Sequence, residues 1–117
     1  MIKVYSYSRC IACRKALKWL DDHGITYELA DIRTDHPDEA LLRKLHAMSG
    51  LPLQNFWNTG GKPFRDLDLI NRLPAMSEDE QFALLASDGL LVKRPLLVTD
   101  SLVLPGFRSG EWEEKLL

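Results

Sequence analysis

An α/β fold with a mixed sheet is the fold class that this sequence predicts, and three observations lead to it. A strand, a helix and a second strand fit within about the first thirty residues, which is the size of a parallel β-α-β unit. From about residue 36 to residue 90 the apolar residues recur at helical rather than strand spacing. Two short strands and a final helix then close the chain, so the predicted order is β-α-β, a helical insert, and β-β-α.

The β-α-β unit occupies residues 1 to 32. Residues 1–7 alternate along a strand rich in β-branched and aromatic side chains. From Ile11 the spacing becomes helical, and Gly24 stands where a helix commonly ends. The buried face of this helix is predicted to carry Cys13, Leu17 and Leu20. Residues 25–32 predict the second strand, with Ile25, Tyr27 and Leu29 on one face.

The insert is predicted to contain two helices separated by a loop. The first begins at His36-Pro37-Asp38-Glu39, with Pro37 at the first helical position and acidic residues in the first turn. Its buried stripe is Leu41, Leu42, Leu45 and Met48, and Gly50 and Pro52 end it. Residues 58–63, NTGGKP, predict a loop. Ser77 and Glu80 have the spacing of a capping box, which opens a helix that buries Phe82, Leu84 and Leu85.

The last part of the chain completes the sheet. Residues 94–107 predict two short strands that fold back through Thr99-Asp100-Ser101, and residues 111–117 predict a helix with Trp112, Leu116 and Leu117 inside. This order of elements is the plan of a thioredoxin-like domain. The length of 117 residues suits a single domain over 1–117, with its helical insert at about 36–90.

Composition limits the classes of partner. The net charge is −2, so no basic surplus favours direct nucleic-acid binding or a membrane surface. Basic residues interrupt the apolar stretches near the N-terminus, which is not typical of a signal peptide, and nothing approaches the ~18 apolar residues that span a bilayer. We therefore expect a cytoplasmic protein. In that compartment a close cysteine pair is catalytic, redox-sensing or metal-binding rather than a structural disulfide.

Cys10 and Cys13 are the two cysteines, and they stand three apart where the first strand gives way to a helix. The sulfur of Cys10 is predicted to face the free N–H groups of the first helical turn, where the helix dipole favours a thiolate. Arg9 and Arg14 add positive charge nearby. Cys13 lies one turn further and points inward. This arrangement predicts Cys10 as the attacking thiolate and Cys13 as the resolving thiol.

Two other interpretations of the pair remain open. A structural zinc site needs about four ligands, and the sequence offers only these cysteines and three histidines without ligand spacing, so we expect no metal. Two inert buried cysteines are the second alternative. A CxxC after a first strand and before a helix favours redox chemistry over both.

Arg94-Pro95 comes immediately before the third predicted strand. In a thioredoxin-like plan a proline here approaches the active-site sulfur, often through a cis peptide bond. The alternative is an ordinary edge-strand proline, since only ~5–6% of X-Pro bonds in folded proteins are cis. Arg94 beside the thiolate would stabilise anionic sulfur or an oxyanion substrate, whereas a lone arginine is by default a surface cation.

Four segments together resemble one family over essentially the whole chain. They are CIACRKALKWL, FWNTGGKPFRDL, SEDEQFALLASDGLLVKRPLLV and VLPGF, and in order and spacing they are similar to the arsenate reductase-related family, which also contains the Spx regulators. The resemblance implies a thioredoxin-like fold with a helical insert, a nucleophilic Cys10, an active-site Arg94 and a cis bond at Pro95.

The resemblance also implies substrate-binding residues. Glutaredoxin-linked arsenate reductases surround a single active-site cysteine with three arginines. Arg94 matches the second of these and Arg108 the third, whereas Asn58, a neutral residue, stands at the position of the first. A clamp with one cation fewer is expected to bind arsenate weakly.

Three functions follow from the resemblance. The first is a thiol-disulfide oxidoreductase with no bound cofactor, which uses glutathione, glutaredoxin or thioredoxin as its thiol donor. The second is an arsenate reductase acting on a small oxyanion. The third is a redox-sensing regulator in which the CxxC is a disulfide switch and RNA polymerase is the partner.

Overall fold

A four-stranded mixed sheet forms the centre of the molecule, and the computed structural model describes all 117 residues. The strands are β1 (Lys3–Ser6), β2 (Glu28–Asp31), β3 (Leu96–Val98) and β4 (Val103–Pro105), in the order β2-β1-β3-β4. β1 pairs parallel with β2 and antiparallel with β3, and β3 pairs antiparallel with β4. The predicted parallel pair, the two returning strands and the mixed sheet are confirmed.

Six α-helices accompany the sheet. They are α1 (Ile11–Asp22), α2 (Glu39–Ser49), α3 (Lys62–Asp66), α4 (Leu69–Arg72), α5 (Glu78–Ser87) and α6 (Ser109–Leu116), with short 3-10 turns at Leu53–Phe56, Leu73–Ala75 and Gly89–Leu91. Helices α2 to α5 all fall between β2 and β3, in the region predicted to be helical. None of these helices combines the length and the apolar character that crossing a membrane requires.

The two faces of the sheet pack against different helices. Val4 and Leu97 are register partners on one face, and they pack with Ala16, Leu20 and Trp112 from α1 and α6. Tyr5 and Leu96, the next pair along, belong to a larger core of 16 buried residues that takes in the insert. Because successive residues of a strand point to opposite faces, β1 and β3 can serve both cores. The sheet is therefore the middle layer between α1 with α6 and the helical insert.

The start of α2 differs from the prediction. Pro37 is not the first helical residue, because Asp38 is the N-cap and its carboxylate accepts a 2.8 Å hydrogen bond from the Leu41 N–H. A side chain able to accept this bond is the stronger signal for a cap, so the helix begins two residues after the proline. The capping box of Ser77 and Glu80 at α5 is confirmed with both of its hydrogen bonds.

Strand β2 is shorter than the predicted 25–32, since it covers Glu28–Asp31. Ala30 and Ile32 are buried, whereas Leu29 is 56% exposed. Leu29 pairs with Val4 and so lies on the face that α1 and α6 cover, but β2 is the edge strand and Leu29 does not belong to the core on that face. Ile25 and Tyr27 precede the strand and pack at the margin of the α1 and α6 core.

The predicted loop at residues 58–63 ends early. α3 already begins at Lys62, with Gly61 as its N-cap and Pro63 in its first turn. Proline is favoured there because the first helical N–H groups have no partner within the helix. Residues 58–61 remain irregular, and they lead the chain past the candidate site.

Gly89 fixes the end of the insert to the end of β2. A Cβ at this position would collide with the backbone carbonyl of Ile32, so the two backbones meet where only glycine fits. Ile32 is itself tied to β1, since its N–H donates to the Ser6 carbonyl at 2.9 Å. This contact sets the position of the turn at Gly89–Leu91, which precedes Arg94.

Candidate functional site

Cys10 is the N-cap residue of α1. Its backbone is extended, its N–H donates to the Tyr7 carbonyl at 3.0 Å, and its Sγ accepts from the Cys13 N–H at 3.3 Å. The sulfur thus takes the place that a serine or aspartate oxygen usually holds at a helix start. The positive end of the helix dipole favours negative charge on this atom. Cys10 is only partly buried, so reagents can reach it.

Cys13 is the opposite kind of thiol. It is 1% exposed, and both cysteines are free thiols. Burial raises the pKa of Cys13 to about 12, and the neighbouring Cys10 sulfur adds to that rise, while the Tyr7 backbone and the Ser6 hydroxyl oppose it. Desolvation disfavours a charged form, so Cys13 stays protonated at neutral pH. The predicted difference between an outer and an inner thiol is therefore present.

Arg9 and Arg14 do not contact the Cys10 sulfur. Both side chains are exposed, and the Arg14 Nε–H donates to the Ser8 carbonyl at 3.0 Å. This bond closes the loop that carries Cys10. Because both cations are exposed, solvent and salt weaken their effect on the sulfur.

The peptide bond between Arg94 and Pro95 is cis, as predicted. Pro95 is buried, and its carbonyl accepts from the Gly106 N–H at 2.8 Å. This bond ties the start of β3 to the end of β4. That Pro95 packs against Cys10 stays a prediction.

Arg94 carries a partly buried guanidinium without a carboxylate partner. Its Nη1–H donates to the Leu90 carbonyl at 3.1 Å, and its Cζ lies 5.1 Å from the centre of the Tyr7 ring. It takes part in none of the six salt bridges, and its buried Nε–H has no hydrogen-bond partner. A charged group held this way keeps its positive field for a neighbouring anion.

Asn58 supplies the remaining restraint on Arg94. In the amide orientation that satisfies its neighbours, the Asn58 oxygen accepts from Nη1 at 3.0 Å and from Nη2 at 3.2 Å. Gly61 lies directly behind, where a Cβ would collide with this amide. Asn58 therefore lies beside Arg94 and adds no charge, and that both residues lie near the Cys10 sulfur stays a prediction.

Arg108 directly precedes the last helix of the chain. It is the exposed residue before α6, and no hydrogen bond, salt bridge or aromatic contact joins its side chain to Cys10, Asn58 or Arg94. It lines a cavity of about 430 Å³ with Lys93, and neither cysteine belongs to that lining. That Arg108 binds substrate together with Arg94 stays a prediction.

Sequence reasoning missed two residues of this site. Tyr7 contacts both the Cys10 loop and the Arg94 side chain, and Gly61 makes room for Asn58. Within the sequence, Tyr7 is merely one member of a strand pattern and Gly61 one residue of a loop. Metal chemistry has no donor set, since no group of three or more His, Cys, Asp or Glu side chains is placed to hold an ion.

The chain matches a known protein family. The sequence model of the ArsC family covers residues 5–115, which includes both cysteines and Arg94. A relative from Bacillus subtilis strain 168, the uncharacterized protein YusI, is 46% identical over 110 residues, which are 94% of this chain and 93% of the relative.

Two further proteins are similar to it. A crystal structure from Streptococcus mutans UA159, described as a possible arsenate reductase, superposes with a TM-score of 0.90 at 39% identity and covers 99% of this chain and 98% of that one. The global transcriptional regulator Spx 2 of Bacillus cereus is 25% identical over 111 residues, which are 95% of this chain and 83% of the regulator. One fold therefore carries differently named proteins, so the activity has to be argued from the site.

Proposed function

Because this chain belongs to the ArsC family, we propose that it is a thiol-disulfide oxidoreductase in which Cys10 attacks and Cys13 resolves. The observation that carries the proposal is the difference between the two thiols. Cys10 is reachable and caps a helix, whereas Cys13 is buried and has a raised pKa. Such a pair can supply one thiol that attacks a disulfide and a second thiol that resolves the resulting mixed disulfide.

The first step is attack on a disulfide substrate. The Cys10 thiolate displaces one half of the substrate as a thiolate and forms a mixed disulfide with the other half. The N–H groups of the first turn of α1 favour the attacking charge, and the Arg94 guanidinium favours an anionic substrate. One substrate disulfide is opened and one mixed disulfide is formed in this step, so the Cys10 sulfur is oxidised by one electron and the departing sulfur is reduced by one.

The second step uses the coupling between the cysteines. Once Cys10 is in a mixed disulfide, its sulfur no longer carries the charge that contributes to the raised pKa of Cys13. The Tyr7 backbone and the Ser6 hydroxyl then favour the Cys13 thiolate against the remaining effect of burial. Cys13 loses its proton to the departing thiolate or to water, attacks the Cys10 sulfur, and releases the second half of the substrate. The protein ends as the Cys10–Cys13 disulfide, oxidised by two electrons, and the substrate ends as two thiols.

A thiol donor must return the protein to the dithiol form. Two molecules of glutathione, or one dithiol of glutaredoxin or thioredoxin, supply the two electrons that reduce the Cys10–Cys13 disulfide through thiol exchange. No bound cofactor is needed in this cycle.

Arsenate reduction is the second candidate, and the free Nε–H of Arg94 favours it. The Asn58 oxygen, however, already accepts one hydrogen bond from each terminal nitrogen of that guanidinium. The Arg108 side chain makes no hydrogen bond to Arg94, so we count Arg94 alone as the cation here. One partly engaged arginine is a weak clamp for a divalent oxyanion, so we expect arsenate to be a poor substrate.

A regulatory role is the third candidate, which rests on the similarity to a protein named as an Spx regulator. The same Cys10–Cys13 disulfide would then act as a switch for binding RNA polymerase rather than as a step of turnover.

One set of assays separates the three functions. The purified protein is given glutathione disulfide or hydroxyethyl disulfide with a thioredoxin or glutaredoxin system, and NADPH oxidation is followed. We expect turnover that is lost in Cys10→Ser and in Cys13→Ser. Arsenate-dependent NADPH oxidation that exceeds disulfide turnover would overturn the proposal in favour of the second candidate. Redox-dependent retention of RNA polymerase without turnover would overturn it in favour of the third.

A further inference from the structure

Tyr7 is the residue that both halves of the candidate site contact. It follows β1 directly, its carbonyl accepts from the Cys10 N–H at 3.0 Å, and its backbone contributes to the environment of the Cys13 thiol. Its ring lies 5.1 Å from the Arg94 Cζ. The same residue therefore contacts the nucleophile's loop through its backbone and the cation through its side chain.

The ring of Tyr7 is held firmly enough to position another group. It packs against the larger core, and the Arg33 Cζ lies 5.1 Å from its centre, as far away as the Arg94 Cζ. Arg33 is in turn fixed by Asp31, whose carboxylate accepts from the Arg33 guanidinium at 3.1 Å and from its backbone N–H at 2.9 Å. The Tyr7 hydroxyl makes no hydrogen bond, so the contacts of this side chain are those of its ring.

Arg94 has no charged partner, so the face of the Tyr7 ring contributes to holding its guanidinium in place. An arginine paired with a carboxylate is oriented by two parallel hydrogen bonds, but Arg94 has only neutral acceptors, the Leu90 carbonyl and the Asn58 amide. A planar guanidinium within about 6 Å of an aromatic ring gains further attraction and a defined plane. The face of Tyr7 supplies that plane.

We propose that Tyr7 is a positioning residue, which stacks the Arg94 guanidinium so that its positive charge serves the Cys10 thiolate and an anionic group of the incoming substrate. The proposal rests on the proposed function, since it assigns Arg94 to the reaction of Cys10. It also names the substrate class, a disulfide that carries negative charge close to the sulfur under attack.

The test compares an anionic with a neutral reagent at Cys10. Second-order rates of alkylation by iodoacetate and by iodoacetamide are measured on the full-length protein, and the modified residue is identified by mass spectrometry. In Tyr7→Leu we expect the ratio of the iodoacetate rate to the iodoacetamide rate to fall about three- to tenfold, the size of a lost cation–ring contact. In Tyr7→Phe, the matched control that keeps the ring and loses only the unbonded hydroxyl, the ratio should stay unchanged.

A double-substitution cycle assigns the effect to Arg94. In an Arg94→Gln background the ratio is expected to be low already, and Tyr7→Leu should lower it no further. An unchanged ratio in Tyr7→Leu, a fall in Tyr7→Phe, or a full additional loss in the Arg94→Gln background would each overturn the proposal. If Tyr7→Leu does not fold, Tyr7→Met, which keeps apolar bulk without a ring, makes the same test.

The two proposals fail in different ways. The alkylation ratio needs only a thiolate near a cation, so it measures the Tyr7 contact even in a protein that never turns over a disulfide. An unchanged ratio together with normal disulfide turnover would refute the role of Tyr7 alone. A ratio that falls as expected in a protein without turnover would support the contact and refute the oxidoreductase.

Discussion

Alkylation of Cys13 in a Cys10→Ala variant is expected to be far slower in the folded protein than in the unfolded chain. Burial is the largest cause that raises the pKa of Cys13 from its ordinary 9.0 to about 12, and the variant keeps that cause while it removes the contribution of Cys10. At about pH 8 a thiol with a pKa of 9.0 is ionised to roughly one part in ten, and one with a pKa of about 12 to roughly one part in ten thousand.

Nucleophilicity offsets part of this loss. A thiolate of higher pKa is intrinsically more reactive, with a Brønsted coefficient of about 0.4–0.5, which over this range returns a factor of roughly twenty. The net slowing from ionisation is therefore about fiftyfold in the wild-type environment. In the Cys10→Ala variant we expect ionisation to slow the alkylation of Cys13 between about ten- and fiftyfold. Limited access to the Cys13 side chain, which is 1% exposed, slows the reaction further.

The assay separates ionisation from access. Native protein is pulsed with light iodoacetamide, unfolded, and treated with heavy reagent, so that mass spectrometry gives the fraction of Cys13 modified at each pH. If a raised pKa governs the rate, the logarithm of the rate rises with pH through about pH 9 without levelling. A plateau near pH 9, or a rate within threefold of that of the unfolded chain, would refute this account of Cys13.

Three further predictions concern stability and the support of the site. Gly61→Ala is expected to slow the reaction with glutathione disulfide several-fold in stopped-flow measurements, because the added Cβ displaces the Asn58 amide that restrains Arg94. The control Gly60→Ala has open space around the added Cβ and should react at the wild-type rate. Gly89→Ala should lower the free energy of unfolding by about 1–3 kcal/mol in urea titrations, the range for overpacking a filled site, and Gly110→Ala, also in open space, should lose none. Because the folded state keeps the proton of Cys13 and the unfolded chain loses it near pH 9, the stabilisation is complete below about pH 9 and is lost as the pH rises toward about 12. The denaturant midpoint of the wild type should fall between about pH 9 and pH 12, and the midpoint of Cys13→Ala should fall less over the same range. An equal fall of the midpoint with pH in the two proteins would contradict the raised pKa of Cys13.

Local sequence signals predicted the part of the fold that carries the cysteines. The change from alternating to helical spacing at Ile11 placed Cys10 at a helix start, and the parallel pairing of β1 with β2 followed from the short connection. The cis bond before Pro95 was predicted from the third-strand position together with the family resemblance. These signals depend on neighbours along the chain, which a sequence displays directly.

Contacts between distant segments account for what the sequence did not reveal. The exposure of Leu29 depends on which strand lies at the edge of the sheet, and the short helix α3 is too brief to show a periodic pattern. The role of Tyr7 requires knowing that Arg94, nearly ninety residues later, returns to the end of β1. No periodicity or spacing in the sequence contains that information.

The assignment of the attacking and the resolving thiol is the central claim, and one measurement tests it most directly. Wild type, Cys13→Ser and Cys10→Ser are treated with glutathione disulfide at neutral pH, and intact masses and modified peptides are recorded over time. The wild type should lose two hydrogens and carry no adduct, Cys13→Ser should accumulate one glutathione on Cys10, and Cys10→Ser should stay unmodified. An adduct that forms on Cys13 as fast as on Cys10, or a lasting Cys10 adduct in the wild type, would contradict the claim.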